Sequence, residues 1–184
     1  KFINLIVIII YFFSDKILIQ SKLFKKYIIN QISSDNIVYH SNSFKIPNTR
    51  IKLQSNHKEL LEKYFCITFA GNIGKAQDLK SLIMAAKNLQ KIKKLKILII
   101  GDGSEKNKLE RIVSLNKIYN VHFLGSLSQD YVYKIYKKSK SLYVSLKDDK
   151  ILNLTLPYKM QSYLSVGKII IGSISGITEK IIVN

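Results

Sequence analysis

Short apolar runs alternate with longer amphipathic segments from about residue 64 onward, and this alternation constrains the fold more than any other feature. The apolar runs predict strands at residues 64–70, 96–100, 121–124, 141–146 and 168–171. The segments between them predict helices at residues 77–95, 104–113, 129–138 and 157–166, with Ser104 and Pro157 opening the second and fourth. Nearly continuous apolar strands separated by helices are typical of a parallel sheet covered on both faces. We therefore predict an α/β domain with a Rossmann-like parallel sheet.

Glycines follow three successive predicted strands. Gly71 and Gly74 come after the first strand, Gly101 and Gly103 after the second, and Gly125 after the third. Parallel strands end at one edge of their sheet, and open α/β sheets bind ligands at that edge. The glycines therefore predict a single ligand-binding edge.

The chain before residue 64 predicts a smaller unit followed by a linker. Residues 1–41 suggest strands at 16–20 and 36–39 around a helix at 23–32, and residues 42–63 are polar without sustained periodicity. The run 2–13 is apolar apart from Asn4, but it is shorter than the ~20 residues that cross a bilayer as a helix. We expect it to be a buried internal segment, with a membrane-associated helix as the alternative.

The net charge of +18 comes almost entirely from lysine, because only two of the thirty basic residues are arginines. Specific nucleic-acid binding relies on arginine forks and exposed aromatics, so we expect no nucleic-acid partner. Lysines spread over the whole chain instead favour adsorption to anionic lipid headgroups. The single cysteine, Cys66, excludes an internal disulfide and suits a reducing compartment, so we expect a cytoplasmic protein.

Seven motifs follow one another in the second part of the chain. They are FAGNIGKAQ (69–77), IIGDG (99–103), VHFLG (121–125), LKDD (146–149), LPYK (156–159), YLSVGK (163–168) and GITE (176–179). In this order they resemble the C-terminal domain of family-4 (group 1) glycosyltransferases, especially the amino-sugar (fucosamine-type) transferases of bacterial surface-polysaccharide synthesis. The earlier SDKILIQS (14–21) and YHSN (39–42) resemble the last segments of the N-terminal domain of that family.

The resemblance implies the C-terminal half of a GT-B fold, truncated, with a remnant of the N-terminal domain. Residues 1–41 then belong to the acceptor-side domain, 42–63 to the interdomain linker and 64–184 to an incomplete nucleotide-sugar-binding domain. The implied activity is retaining transfer from a nucleotide-diphospho-sugar, UDP-linked, to a lipid-linked or glycan acceptor at or near the inner membrane face, without metal or other cofactor. We expect an incomplete copy of low or no activity. The alternatives are another GT-B protein, such as a nucleotide-sugar epimerase, and a basic peripheral membrane protein.

The resemblance also assigns site residues. Those expected at the donor diphosphate are Gly71, Asn72, Gly74, Lys75, Tyr158 and Lys159. Those expected at the nucleobase and ribose are Ser126, Leu127 and Ser162. No metal ligand and no catalytic residue is assigned.

Three positions depart from the family pattern. Asn72 stands where the family has an arginine on the diphosphate, and Gln77 falls near the position of a family lysine. Ser162 replaces the glutamate that binds the ribose hydroxyls. A lost charge-assisted hydrogen bond costs about 1.5–3 kcal/mol, so we expect weakened donor binding. The neighbouring pair Asp148 and Asp149 suggests a solvated turn rather than a contact to the donor sugar.

Overall fold

The apolar runs form strands and the amphipathic segments form helices in a computed structural model that describes residues 2–29, 34–47 and 50–183. In chain order the elements are α1 (Phe2–Phe12), β1 (Ile17–Ile19), α2 (Leu23–Ile29), β2 (Ile37–Tyr39), α3 (Ser55–Lys63), β3 (Phe65–Ala70), α4 (Leu79–Asn88), β4 (Leu95–Ile100), α5 (Lys106–Leu115), β5 (Val121–Gly125), α6 (Gln129–Lys138), β6 (Ser141–Ser145), α7 (Lys159–Val166), β7 (Ile169–Ser173) and α8 (Ile177–Val183). Short 3-10 turns lie at Ser34–Asn36, Lys75–Gln77 and Leu152–Leu154.

The larger sheet is parallel and has the strand order β5-β4-β3-β6-β7. This confirms the predicted fold class. The chain runs outward from β3 through β4 to β5 and then crosses back to place β6 on the other side of β3. The loops after β3 and β6 therefore diverge between these two strands, and such a switch point is where open α/β sheets bind ligands.

Each face of this sheet buries its own apolar cluster. Along β4, Ile97 and Ile99 pack with residues of α4 and α5, whereas Leu98 and Ile100 pack with residues of α3, α6 and α7. This alternation follows from the two-residue period of a strand. The lone cysteine, Cys66, lies fully buried in the second of these clusters. Helices thus cover both faces, as the continuous apolar strands predict.

Several helix boundaries differ from the prediction. Helix α4 begins only at Leu79, because Asp78 adopts a left-handed conformation (φ 45°) that interrupts the helix after the 3-10 turn. The N-cap of α5 is Glu105 and not Ser104. The N–H of Glu105 donates to Ile73 O at 3.0 Å, which fixes the start of the helix against the loop after β3. Pro157 precedes α7 by two residues.

The prediction that residues 2–13 are buried is wrong. The run forms α1, whose side chains are exposed or half-buried, with Phe2 and Phe12 exposing 75% and 79% of their surface. Strands β1 and β2 form a parallel pair of three residues each, and isoleucines of the two strands form a small cluster with Ile28 of α2. So small a unit cannot cover an eleven-residue apolar helix. Within the described residues, the helices are too short or too polar to cross a bilayer.

The predicted linker, residues 42–63, contains a helix in its second half. Helix α3 packs through Leu61 on the cluster that contains Tyr136, and the N–H of Gln54 donates to the Tyr131 hydroxyl at 2.8 Å. His57 Nδ1 lies 3.0 Å from the same hydroxyl. Residues 55–63 therefore pack with the larger sheet. The predicted extension of α2 to residue 32 lies outside the described residues.

Candidate functional site

A cavity of about 650 Å³ opens at the carboxyl edge of the sheet, at the switch point between β3 and β6. Its walls are formed by the loops after four strands, the start of α7, one face of α6 and the segment before α3. The lining residues are Phe44, Pro47, Ala70, Gly71, Asn72, Ala76, Gln77, Ile100, Gly101, Ser126, Leu127, Gln129, Val132, Tyr133, Tyr136, Leu146, Leu152, Thr155, Pro157, Tyr158, Lys159 and Ser162.

The floor of this cavity is backbone. The N–H of Gly71 donates to Ile100 O at 3.0 Å, and the N–H of Gly101 donates to Gly125 O at 2.8 Å, which ties three strand ends together. Gly101 has a φ of +129°, and a Cβ there would lie 2.0 Å from Gly71 O. Only glycine fits this position, because a side chain would collide with a neighbouring backbone that cannot move away.

Lys159, the first residue of α7, reaches across the cavity to β3. Its Nζ donates to Gln77 Oε1 at 2.8 Å and lies 3.9 Å from the centroid of the Phe69 ring. A Cβ on Gly71 would lie 3.0 Å from this Nζ, so the ammonium also lies directly against the Gly71 backbone. Among the described residues that line the cavity, Lys159 is the only charged one.

Desolvation lowers the pKa of Lys159 from 10.5 to about 7. No carboxylate lies among the described lining residues to offset this loss of hydration. An amine held in this way gains strongly from an anion that enters the cavity, because the anion restores the electrostatic stabilisation that burial removed. This end of the cavity can therefore bind a phosphate or another compact anion.

The opposite wall is aromatic and apolar. Tyr133 and Tyr136 project from α6, and Phe44 packs against Tyr133 and Tyr158 with ring centroids 5.9 and 6.3 Å apart. Leu127 extends this wall at the turn after β5. A planar, weakly polar group such as a nucleobase fits such a surface better than a second charged group does.

The structure brings together seven of the nine residues predicted for the site. Gly71, Asn72, Tyr158 and Lys159 line one end of the cavity, and the predicted nucleobase and ribose residues Ser126, Leu127 and Ser162 also line it. Ser162 is 8% exposed.

Gly74 and Lys75 lie elsewhere, on a second cleft of about 120 Å³ between the starts of α4 and α5. A Cβ on Gly74 would lie 2.8 Å from Asn72 Nδ2, so Gly74 leaves room for the Asn72 side chain. The structure thus gives Gly74 a packing role beside the cavity and leaves Lys75 on the cleft.

Sequence reasoning missed several lining residues. The spacing of Tyr133 and Tyr136 on one face of a predicted helix is a signal that could have pointed to the cavity. The sequence pattern marks Gln77 only as a replaced position, although its side chain accepts the hydrogen bond of Lys159. Phe44 carries no such signal, because its place depends on the path of a polar segment.

Asp148 and Asp149 act within their own turn. Asp149 Oδ1 accepts from the N–H groups of Ile151 at 2.9 Å and Leu152 at 3.1 Å, and Asp148 Oδ1 accepts from Asn153 Nδ2 at 2.7 Å. These bonds hold the loop before the 3-10 turn Leu152–Leu154 in place. The expected solvated turn agrees with this geometry.

Sequence comparison relates the chain to proteins that transfer sugars. The family described as glycosyl transferases group 1 matches residues 51–184. The chain is also 24% identical over 155 residues to WcaI of Escherichia coli (strain K12), whose name assigns it provisionally to glycosyl transfer in colanic acid biosynthesis. The match covers 81% of this chain and 38% of WcaI, so the chain spans well under half of that relative.

Solved structures share the fold. The pneumococcal O-GlcNAc transferase GtfA, in complex with UDP and GlcNAc, aligns with a TM-score of 0.67 at 12% identity over 91% of this chain and 31% of its own. HepE of Anabaena, in complex with UDP-glucose, aligns at 0.67 and 14% over 91% and 47%. WaaG, a glycosyltransferase involved in lipopolysaccharide biosynthesis, aligns at 0.69 and 9% over 91% and 46%.

Proposed function

Because the chain belongs to the group 1 glycosyl transferases, we propose that its cavity binds the nucleoside diphosphate of a sugar donor. The observation that carries this proposal is the Lys159 ammonium, which lies against the Gly71 backbone at the switch point of the sheet. In this proposal the diphosphate lies against Lys159 and Gly71. The family match also favours glycosyl transfer over the epimerase alternative.

The start of α7 adds donors for the same anion. The N–H of Met160 donates to Pro157 O and that of Gln161 to Tyr158 O, which leaves the N–H groups of Tyr158 and Lys159 for a ligand. Helix N-termini attract anions through such N–H groups and through the helix dipole. The nucleobase would then lie towards Ser126, Leu127 and the aromatic wall, with the ribose near Ser162.

We propose UDP as the nucleotide and an amino sugar as the donor sugar. UDP is the nucleotide bound in GtfA and, as UDP-glucose, in HepE, and the sequence motifs resemble those of amino-sugar transferases. The proposed acceptor is a lipid-linked or glycan chain of a cell-surface polysaccharide, and the proposed transfer retains the anomeric configuration without a metal. The name of WcaI assigns it provisionally to colanic acid biosynthesis, and the structurally similar WaaG is involved in lipopolysaccharide biosynthesis.

We also propose that transfer by this chain is slow or absent. Asn72, Gln77 and Ser162 replace charged residues of the family pattern, and Lys159 is left as the one cation on the described walls of the cavity. In glycosyltransferases that use nucleotide-sugar donors, fixed charges stabilise the departing diphosphate. Fewer charges should reduce transfer more than binding, because charge develops on the diphosphate as the bond breaks.

Calorimetry with UDP tests the proposed donor binding. We expect measurable heat at millimolar UDP, with protein shown to be folded by circular dichroism. Uridine, which lacks the phosphates, is the matched control and should bind much more weakly. Folded protein that gives no heat with millimolar UDP would exclude a donor site.

A second proposed function is contact with an anionic membrane surface at the cytoplasmic side. It is favoured by α1, an exposed helix without a charged residue, and by the net charge of +18. Amphipathic or apolar helices bind at the interface more strongly when basic residues accompany them. We expect sedimentation with vesicles that contain phosphatidylserine but not with pure phosphatidylcholine, and we expect Ile6→Asp with Ile9→Asp to abolish it. Equal sedimentation of the double variant would rule out α1 as the contact.

A further inference from the structure

The 3-10 turn Lys75–Gln77 is fixed to the end of β6 through its backbone. The N–H of Lys147 donates to Ala76 O at 2.9 Å, and the Ser145 hydroxyl donates to Gln77 O. The N–H of Gln77 itself donates to Gly74 O at 3.1 Å. The Gln77 side chain therefore extends from a fixed backbone, and its amide oxygen has a defined place at the cavity wall.

We propose that Gln77 is a positioning residue, which holds the Lys159 ammonium in front of Gly71 so that the ammonium meets the diphosphate of the donor. This inference rests on the proposed function of the cavity. It assigns a role to a residue that sequence reasoning treats only as a lost lysine. The Lys159 ammonium, held in place by the neutral Gln77 amide, would then take over the diphosphate contact that the family pattern assigns to charged residues on the loop after β3.

Hydrogen-bond geometry explains why a neutral acceptor suits this place. An ammonium has three donors, and one of them goes to Gln77 Oε1 at 2.8 Å. The Phe69 ring face, 3.9 Å away, adds an electrostatic attraction without consuming a donor. Two donors remain for phosphate oxygens.

Other residues at position 77 would serve less well. A carboxylate would neutralise Lys159 and repel the diphosphate, since like charges this close destabilise each other. A lysine would repel the Lys159 ammonium for the same reason. A methionine of similar size would leave the ammonium without its fixed direction.

The surroundings of Lys159 make donor binding depend on pH. The 3-10 turn presents Gln77, β3 presents Phe69, and the loop after β3 presents Gly71. Helix α6 presents the phenols of Tyr133 and Tyr136, and Tyr158 lies just before α7. No carboxylate or histidine lies among the described lining residues, so Lys159 is the one amine or acid among them whose charge can change near neutral pH. Desolvation sets the pKa of Lys159 at about 7, and a bound anion raises this pKa. Donor affinity should therefore fall as the pH rises above 7.

The test is calorimetry with UDP-GlcNAc at pH 6, 7, 8 and 9 on the wild type, Gln77→Met and Gln77→Glu. The intact donor is used because the terminal phosphate of free UDP has a pKa of about 6, and its titration would obscure the profile. For the wild type we expect a roughly tenfold loss of affinity per pH unit above 7, until the pKa of the bound state is reached.

The two variants should change the profile in opposite directions. Gln77→Met should bind about tenfold more weakly at pH 6 and move the midpoint to lower pH, because the charged amine loses an acceptor. Gln77→Glu should also bind weakly but move the midpoint to higher pH. Gln90→Met is the control, since it removes a glutamine that accepts from the Tyr119 N–H far from the cavity, and it should match the wild type. An unchanged midpoint in both position-77 variants would overturn the positioning role, even if affinity falls.

Carbon-13 NMR of lysine Cε atoms separates this inference from the proposed function. The resonance that disappears in Lys159→Arg reports the pKa of Lys159 without any ligand. If this pKa moves down in Gln77→Met and up in Gln77→Glu while no variant binds UDP-GlcNAc, the positioning stands and donor binding fails. If UDP-GlcNAc binds but the pKa of Lys159 is the same in the wild type and in both position-77 variants, donor binding stands and the positioning role fails. Should Gln77→Met not fold, Gln77→Asn, whose shorter amide misses Nζ, replaces it with the same expected shift.

Discussion

The cavity and the second cleft lie side by side at the same sheet edge, but they differ in the number and the surroundings of their lysines. Four lysines line the cleft, Lys75, Lys80, Lys108 and Lys147, together with Asp78 and Glu105. Lys108 pairs with Glu105 at 3.0 Å, and its side chain is 63% exposed. The cavity has one lysine and no carboxylate among its described lining residues.

From this difference we expect the surroundings of a cation, rather than the number of cations, to decide where an anion binds. Solvated lysines with nearby carboxylates are screened by water and contribute little to any one interaction. A desolvated lysine without a carboxylate keeps its full preference for an anion. In a chain with a net charge of +18, the desolvated lysine of the cavity is therefore the more informative one.

The largest expected effect concerns the backbone that forms the cavity. Gly101→Ala should lower the free energy of unfolding by more than about 3 kcal/mol, because its Cβ would meet Gly71 O in a left-handed backbone region. Gly125→Ala is the control: it also has positive φ, but a Cβ there has nothing within 4 Å, so we expect about 1–2 kcal/mol. Urea denaturation measures both. Equal losses would mean that the close approach of the loops does not support the cavity.

The next effect compares one lysine from each site. Lys159→Met should weaken UDP-GlcNAc binding by about ten- to a hundredfold at pH 6.5, since a charge-assisted hydrogen bond contributes about 1.5–3 kcal/mol. Lys75→Met removes the same charge from the cleft and should change affinity less than about twofold. Calorimetry at one ionic strength gives both values. A comparable loss in the two variants would place the diphosphate across the cleft and remove the distinction between the sites.

A smaller effect is expected on stability. Folded Lys159 releases its proton near pH 7, whereas the unfolded chain keeps it up to 10.5, so the unfolded state binds more protons between these values. Wild-type stability should then rise with pH across this window, because the charged amine costs most below pH 7. Lys159→Met should be more stable than the wild type by about 1–3 kcal/mol at pH 6, with the difference shrinking towards pH 10. A constant difference from pH 6 to 10 would show that Lys159 is not desolvated.

The smallest expected effect is a gain in affinity for UDP. Asn72→Arg combined with Ser162→Glu restores two charged positions of the family pattern and should strengthen UDP binding by about three- to tenfold, less than two ideal hydrogen bonds would give. Asn72 lies against Gly74 and Gly103, and Ser162 is buried, so the new side chains have little room. Calorimetry against each single variant measures the gain. Unchanged affinity in the double variant would mean that these positions do not correspond to the family arginine and glutamate.

The N-terminal unit shows where sequence reasoning reached its limit. An apolar run of this length is compatible with a buried segment, a surface helix or a membrane contact, because hydrophobicity alone does not say what covers a helix. Helix α3 was missed for a related reason: Leu60 and Leu61 are adjacent, so they do not give the spacing of an amphipathic helix. Both elements are short, and short elements depend most on their neighbours.

The amino-acid sequence by itself determined the parallel sheet, the positions of its strands along the chain and the sheet edge at which the cavity lies. These follow from local patterns, such as the alternating burial along β4 and the glycines after β3 and β4. Only the tertiary structure decided which side chains meet in the cavity. Lys159 and Gln77 are 82 residues apart, and Phe44 comes from a segment without periodicity. Such contacts depend on how separate elements pack, and a desolvated charge exists only once they have packed around it.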